Sequence, residues 1–306
     1  MHQITYKKHG LTATSGFVNN IANYIPRSGS RILDIDGSTI SRDHNISVTV
    51  LKGPHHSANS FDINLQAVMG NQISQVFPPA ARFTDASVPD QNGKVYIVTG
   101  ASAGVGKELA GLLYSRNATV YVAARSADRT NAAMKWIKEK YPDSKGAMHY
   151  LHLDLSNLDD VKQSAEIFLA KESRLDVLFN NAGVMTPPQG SKTEQGYELQ
   201  LGTNCVAPFL FTKILTPLLI DTAKTEPRGS VRVVWTSSSA AHLASPEGGV
   251  DMLNLDYKTD KGAMAKYAVS KAGNVLHARE FARRYNDHGI ISMVCSLWLT
   301  LRQHLL

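Results

Sequence analysis

Cysteine is scarce in this chain: Cys205 and Cys295 are the only two among 306 residues. That count excludes a disulfide scaffold and a thiolate metal cluster. It fits a reducing compartment, so the expected location is cytoplasmic. Long apolar runs are also lacking. The longest, Phe209 to Ile220, is interrupted by Lys213 and Pro217, and it falls short of the ~20 residues that span a bilayer, so no membrane span is expected. The first ten residues are polar and basic with no apolar stretch behind them, which gives no secretory leader. Blocks of like charge are missing as well. The net charge of +6 is dispersed along the chain, which argues against a nucleic-acid partner. The eleven histidines form no ligand-spaced group, His55-His56 reads as solvent-exposed, and no metal is expected.

What the chain does have, from Lys94 onward, is alternation. Strands are expected at Lys94–Val98, Thr119–Ala124, Ala147–Leu153, Leu175–Phe179, Val231–Thr236 and Ile290–Val294. Helical spacing fills the gaps, at Ala132–Lys140, Leu158–Glu172, Leu201–Leu219 and Tyr267–Tyr285. Val/Ile-rich strands alternating with amphipathic helices predict an α/β fold with a doubly wound parallel sheet covered on both faces. Residues 1–68 lack this rhythm and are expected to be a poorly ordered extension, with the folded domain occupying 69–306. Within the extension, Arg31 to Thr39 faintly matches a methyltransferase glycine motif. Asp36 stands where that motif requires glycine, so it reads as coincidence or a broken remnant. If Met69 were an initiator, Gly70 and Ser74 would fit a myristoylation pattern.

The first expected strand runs into Thr99-Gly100-Ala101-Ser102-Ala103-Gly104-Val105-Gly106, and Val105, Leu109, Leu112 and Leu113 follow at helical spacing. A strand–glycine turn–helix unit lets phosphate oxygens approach the backbone and meet the free N–H groups of a helix N-terminus. The candidate phosphate-binding residues are therefore Gly100, Ser102, Gly104, Val105 and Gly106. At the end of the second strand, where a carboxylate would hold the adenosine ribose, the chain has Arg125 instead. An arginine there pairs with a 2′-phosphate, so NADP(H) is favoured over NAD(H).

The T-G-x-x-x-G-x-G spacing resembles the short-chain dehydrogenase/reductase family, and further family motifs follow in order. They are Leu153-Asp154-Leu155, Asn180-Asn181-Ala182-Gly183, Asn204 within G-T-N-C-V-A-P-F, the serines 237–239, and Tyr267-Ala268-Val269-Ser270-Lys271. Met69 to Lys94 also resembles the opening of filamentous-fungal members, related to retinol-dehydrogenase-like and secondary-metabolism enzymes. The resemblance implies a Rossmann-like fold, with Asp154 and Leu155 at the adenine and Asn181 against the cofactor. It also implies a catalytic set of Asn204, Ser238, Tyr267 and Lys271. Tyr267 would be the general acid/base. Lys271 would tune it and hold the nicotinamide ribose, Ser238 would orient the substrate oxygen, and Asn204 would position a relay water.

Local readings compete at several of these positions. Asp154 could cap the next helix, although Asn157 is better placed to do so. Asn204 could mark a tolerated helix kink. Among the serines, strand alternation favours Ser238, with Ser239 as the fallback. A second Tyr-x-x-x-Lys pair, Tyr257…Lys261, lies in a polar, turn-rich stretch without an apolar stripe. Only Tyr267…Lys271 should share a helical face. The segment His242–Lys266 is expected to line the substrate pocket.

After Val294 the family's Pro-Gly turn does not appear, and the sheet is expected to lack its last strand. The sixth strand would then be an open edge, followed by an apolar tail from Leu297 to Leu306. Two functions stay open. One is an NADP(H)-dependent oxidoreductase acting on a carbonyl or secondary alcohol of a small apolar substrate. The other is a catalytically inactive NADP-binding remnant. Assembly into a homo-oligomer is left open.

Overall fold

A computed structural model describes residues 84–297, which lie within one compact unit. The expectations for 1–68, for His55-His56, for Gly70 and Ser74, and for the tail beyond Leu297 concern residues outside those described. So do both expected domain boundaries.

Six strands form one parallel sheet in the order β3-β2-β1-β4-β5-β6. They are β1 (Val95–Thr99), β2 (Thr119–Ala124), β3 (Ala147–His152), β4 (Val177–Asn180), β5 (Arg232–Ser238) and β6 (Ile291–Leu297). Every pairing is parallel. The helices between them are α1 (Gly104–Ser115), α2 (Ala127–Lys140), α3 (Leu158–Leu169), α4 (Leu199–Thr225), α5 (Ser239–Ala244) and α6 (Ala263–Tyr285). Side-chain alternation along β1 sorts the core into two layers. Tyr96 and Val98 join Leu109, Leu113 and Ile137 on one face, while Val95 and Ile97 join Phe168, Phe211, Leu215 and Trp235 on the other. Strands β1, β2, β4 and β5 read as continuous apolar runs because each buries both faces, whereas the edge strand β3 alternates, with His149 and His152 exposed.

The strand order reverses between β1 and β4, and the loops after those strands part to opposite sides there. That crevice is where doubly wound sheets bind ligands.

Two elements run longer than their sequence patterns suggest. Helix α2 begins at Ala127 rather than Ala132 because the Ser126 hydroxyl caps it, accepting from the Arg129 N–H at 3.4 Å. Helix α4 continues through Pro217, which leaves the Lys213 carbonyl without its usual donor. By length and composition α4 could cross a membrane, but more than half of its apolar window is buried within the fold. Strand β6 pairs only with β5 among the described residues.

Candidate active site

The glycine turn is shaped by three different constraints. Gly100 takes φ +69°, and a Cβ there would lie 2.8 Å from Ala182 Cα. Gly106 is squeezed, since a Cβ would lie 2.6 Å from the Gly100 carbonyl oxygen and 2.7 Å from Asn181 Nδ2. Gly104 takes φ +54° with nothing within 4 Å of a Cβ, so its side of the turn is open. Helix α1 starts at Gly104 with no side-chain cap from Ala103. The N–H groups of its first turn, at Val105 and Gly106, are therefore free to face an anion. Ser102 is half-buried beside them.

Thr99 ties this turn to the next strand. Its hydroxyl donates to the Phe179 carbonyl at 3.2 Å and accepts from the N–H groups of Asn181 and Ala182 at 3.0 and 2.9 Å. Asn181 Nδ2 donates back to the Thr99 carbonyl at 2.9 Å. The ends of β1 and β4 are thus locked together. Toward the other end of the crevice, Arg125 is exposed at the end of β2. Asp154 Oδ1 accepts from the Ser156 N–H and hydroxyl at 2.9 and 2.7 Å. Asn157, not Asp154, caps α3, and Leu155 is buried in the core.

The four remaining residues come from three segments: the start of α4, the end of β5, and α6. Asn204 lies in a π-helical turn, Gly202–Val206, at the start of α4. The helix is distorted there, but the Asn204 amide is not spent on its own helix backbone. The Asn204 amide bonds across space: its Oδ1 accepts from the Val184 N–H at 2.7 Å. Its Nδ2 donates to the Val184 carbonyl at 2.8 Å and to the Ser270 hydroxyl at 3.0 Å. Single π turns inserted in α-helices recur at functional sites.

Ser237 is buried and donates to the Lys271 carbonyl at 2.8 Å, whereas Ser239 opens α5. Ser238, on the opposite strand face from Ser237, accepts from the Ala240 N–H at 3.2 Å and stays half-buried.

On α6, Lys271 Nζ lies 5.9 Å from the centre of the Tyr267 ring, so the two share one face. Gly183 closes the set: a Cβ there would lie 3.1 Å from both Asn204 Oδ1 and Lys271 Nζ. Lys271 is 4% exposed and donates to the Thr236 carbonyl at 3.0 Å. Burial holds its pKa down to about 8. The other pair, Tyr257…Lys261, lies in turns, with Tyr257 at φ 52° and Lys261 exposed.

The segment after α5 does line a pocket of about 280 Å³, bounded by Pro246, Asp251, Leu255, Tyr257, Ala265 and Val269 among others. Ala265 and Val269 each stand two positions from Tyr267, about 160° round the helix from it. This pocket therefore meets α6 on the side turned away from Tyr267. Among the described residues, no group of three or more His, Cys, Asp or Glu could hold a metal.

The short chain dehydrogenase family model matches residues 94–250. A short-chain dehydrogenase/reductase of Phomopsis amygdali is 56% identical over 225 residues, which is 73% of this chain and 67% of that protein. The chain belongs to the short-chain dehydrogenase/reductase family. It is an oxidoreductase of a family that uses nicotinamide cofactors. A second short-chain dehydrogenase/reductase, from Emericella nidulans, is 53% identical over 212 residues, 69% of this chain and 67% of that one. A solved metagenomic short-chain oxidoreductase in complex with NADP matches with a TM-score of 0.53 at 26% identity, over 68% of this chain and 83% of that one.

Sequence reasoning passed over Thr99, Gly183, Ser270 and Thr236. The first three stand within the quoted motifs, but the role of each depends on a partner brought close only by the fold.

Proposed function

We propose that this short-chain dehydrogenase/reductase moves a hydride between NADP(H) and the carbonyl or secondary alcohol carbon of a small apolar substrate. The observation that carries the reading is the shared face of Tyr267 and Lys271, 5.9 Å apart, with Asn204 against the same Gly183. The open side at Gly104 and the uncapped start of α1 fit a pyrophosphate. The absence of a carboxylate at the end of β2, with exposed Arg125 in its place, supports NADP(H) over NAD(H). The NADP named for the solved metagenomic relative supports the same choice.

When bound, the cofactor would give the hydride in reduction and take it in oxidation. The rest is the work of this chain. Ser238 presents its hydroxyl to the substrate oxygen, and Tyr267 gives that oxygen a proton in reduction or takes it in oxidation. Lys271 places a positive charge one helical turn from the phenol, which favours the anion that forms when the proton leaves. Lys271 also offers hydrogens to the nicotinamide ribose. Asn204, held rigid by Val184 and Ser270, fixes the inner end of the proton path.

The test is a fluorescence titration with NADPH, followed by loss of NADPH absorbance over a panel of apolar ketones and aldehydes. Binding with turnover is expected, with NADH bound more weakly. Binding without turnover would leave an inactive nucleotide-binding protein and refute the reading.

A further inference from the structure

We propose that Asn274 is a positioning residue for Lys271 and seats a buried water beside it. Asn274 lies on α6, one turn beyond Ser270, and is 3% exposed. Its Nδ2 donates at 3.0 Å to the Thr236 carbonyl, the same oxygen that takes the Lys271 ammonium at 3.0 Å. That bond fixes which way the amide points, because the reversed amide would set two acceptor oxygens against each other. The atom turned away from Thr236 is therefore Oδ1. It is buried and has no partner among the described residues.

An amide oxygen shut away from bulk water without a donor is costly. The nearby group rich in hydrogens is the ammonium of Lys271, with three to place and one given to Thr236. A water that accepts one of these and donates to Asn274 Oδ1 satisfies both groups. Asn274 then acts on Lys271 in two ways. It keeps the Thr236 carbonyl aimed and occupied when the lysine turns to another acceptor, and it holds the water on the ammonium's inner side. The other titratable groups acting on Lys271 are Cys205, in the π turn, and Cys295, on β6. Burial raises both thiols, that of Cys205 to about 12. Tyr267 faces it from its own helix.

The proposal rests on the role given to Lys271 above only for its effect on turnover; its geometry stands apart. The test uses the full chain with Asn274→Asp and Asn274→Leu. Without cofactor, the pH dependence of urea unfolding reads the Lys271 titration. With Asn274→Asp a carboxylate faces the ammonium, and the titration should move up by at least about one pH unit, tenfold in proton affinity. With Asn274→Leu, kcat should fall about tenfold while the NADPH dissociation constant stays within about twofold. A titration unmoved by Asn274→Asp would overturn the proposal. If that variant does not fold, a high-resolution crystal structure of the unaltered chain decides. A water within about 3.2 Å of both Asn274 Oδ1 and Lys271 Nζ supports the proposal, and a dry site overturns it. Absence of turnover in every form would defeat the proposed function while leaving the titration result standing.

Discussion

Replacing Lys271 by methionine should make the protein more stable at neutral pH while abolishing turnover. The lysine is 4% exposed and its pKa is depressed to about 8 by burial, against about 10.4 in an unfolded chain. Below pH 8 both states carry the proton, so the folded state bears the whole cost of the buried charge, about 3 kcal/mol. Between about pH 8 and 10.5 the unfolded chain binds the extra proton, so stability rises with pH and the cost disappears. Lys271→Met removes the charge and leaves an unbranched side chain one atom shorter. It also removes the bond to Thr236, worth about 1 kcal/mol, but that carbonyl keeps its bond from Asn274. The variant should therefore be about 2 kcal/mol more stable at pH 7, and slightly less stable above pH 10.5. Urea unfolding of both proteins across that range, without cofactor, measures the difference. A variant less stable at pH 7, or a difference flat with pH, would refute the reasoning. Stability gained by removing a group is the pattern expected where function requires an unfavourable environment.

Other perturbations test separate parts of the site. Tyr257→Phe removes a buried hydroxyl that has no partner among the described residues and keeps the ring near Lys266. It should raise stability by up to about 1 kcal/mol in thermal unfolding and leave kcat unchanged, and a loss of turnover would return Tyr257 to the active site. Arg125→Asp should lower the preference for NADPH over NADH about a hundredfold, read as a ratio of dissociation constants. An unchanged ratio would remove Arg125 from cofactor recognition. Gly106→Ala forces a methyl against Gly100 and Asn181. NADPH affinity should drop at least about tenfold, whereas wild-type binding would mean the turn yields freely.

The layout of the sheet was legible because its signals are local. Fully buried strands such as Val95–Thr99 announce themselves as unbroken apolar runs, and helices such as α6 by small residues at steps of three and four. The shared face of Tyr267 and Lys271 follows from spacing alone once their segment is helical. By the same logic the turn-rich context of Tyr257 sets it apart from a helical pair. The rest depends on partners distant in sequence. The π turn at Asn204 is anchored on Val184 and Ser270, 20 and 66 residues away, and no periodicity in 199–225 encodes those bonds. Ser237 is committed to α6 by the Lys271 carbonyl, 34 residues on. Which side of α6 the preceding segment covers was hidden for a related reason. Sequence places His242–Lys266 between the serine and the tyrosine, but only the fold decides which side of the helix it covers.

The central claim is that Tyr267 moves the proton while the glycine turn and its neighbours hold the nucleotide. Tyr267→Phe removes one hydroxyl and leaves the ring against Lys271, so NADPH titration and NADPH oxidation of this variant, beside the unaltered chain, test the claim most directly. The account predicts an NADPH dissociation constant within about twofold and turnover reduced by at least about a hundredfold. Turnover near that of the unaltered chain would contradict it.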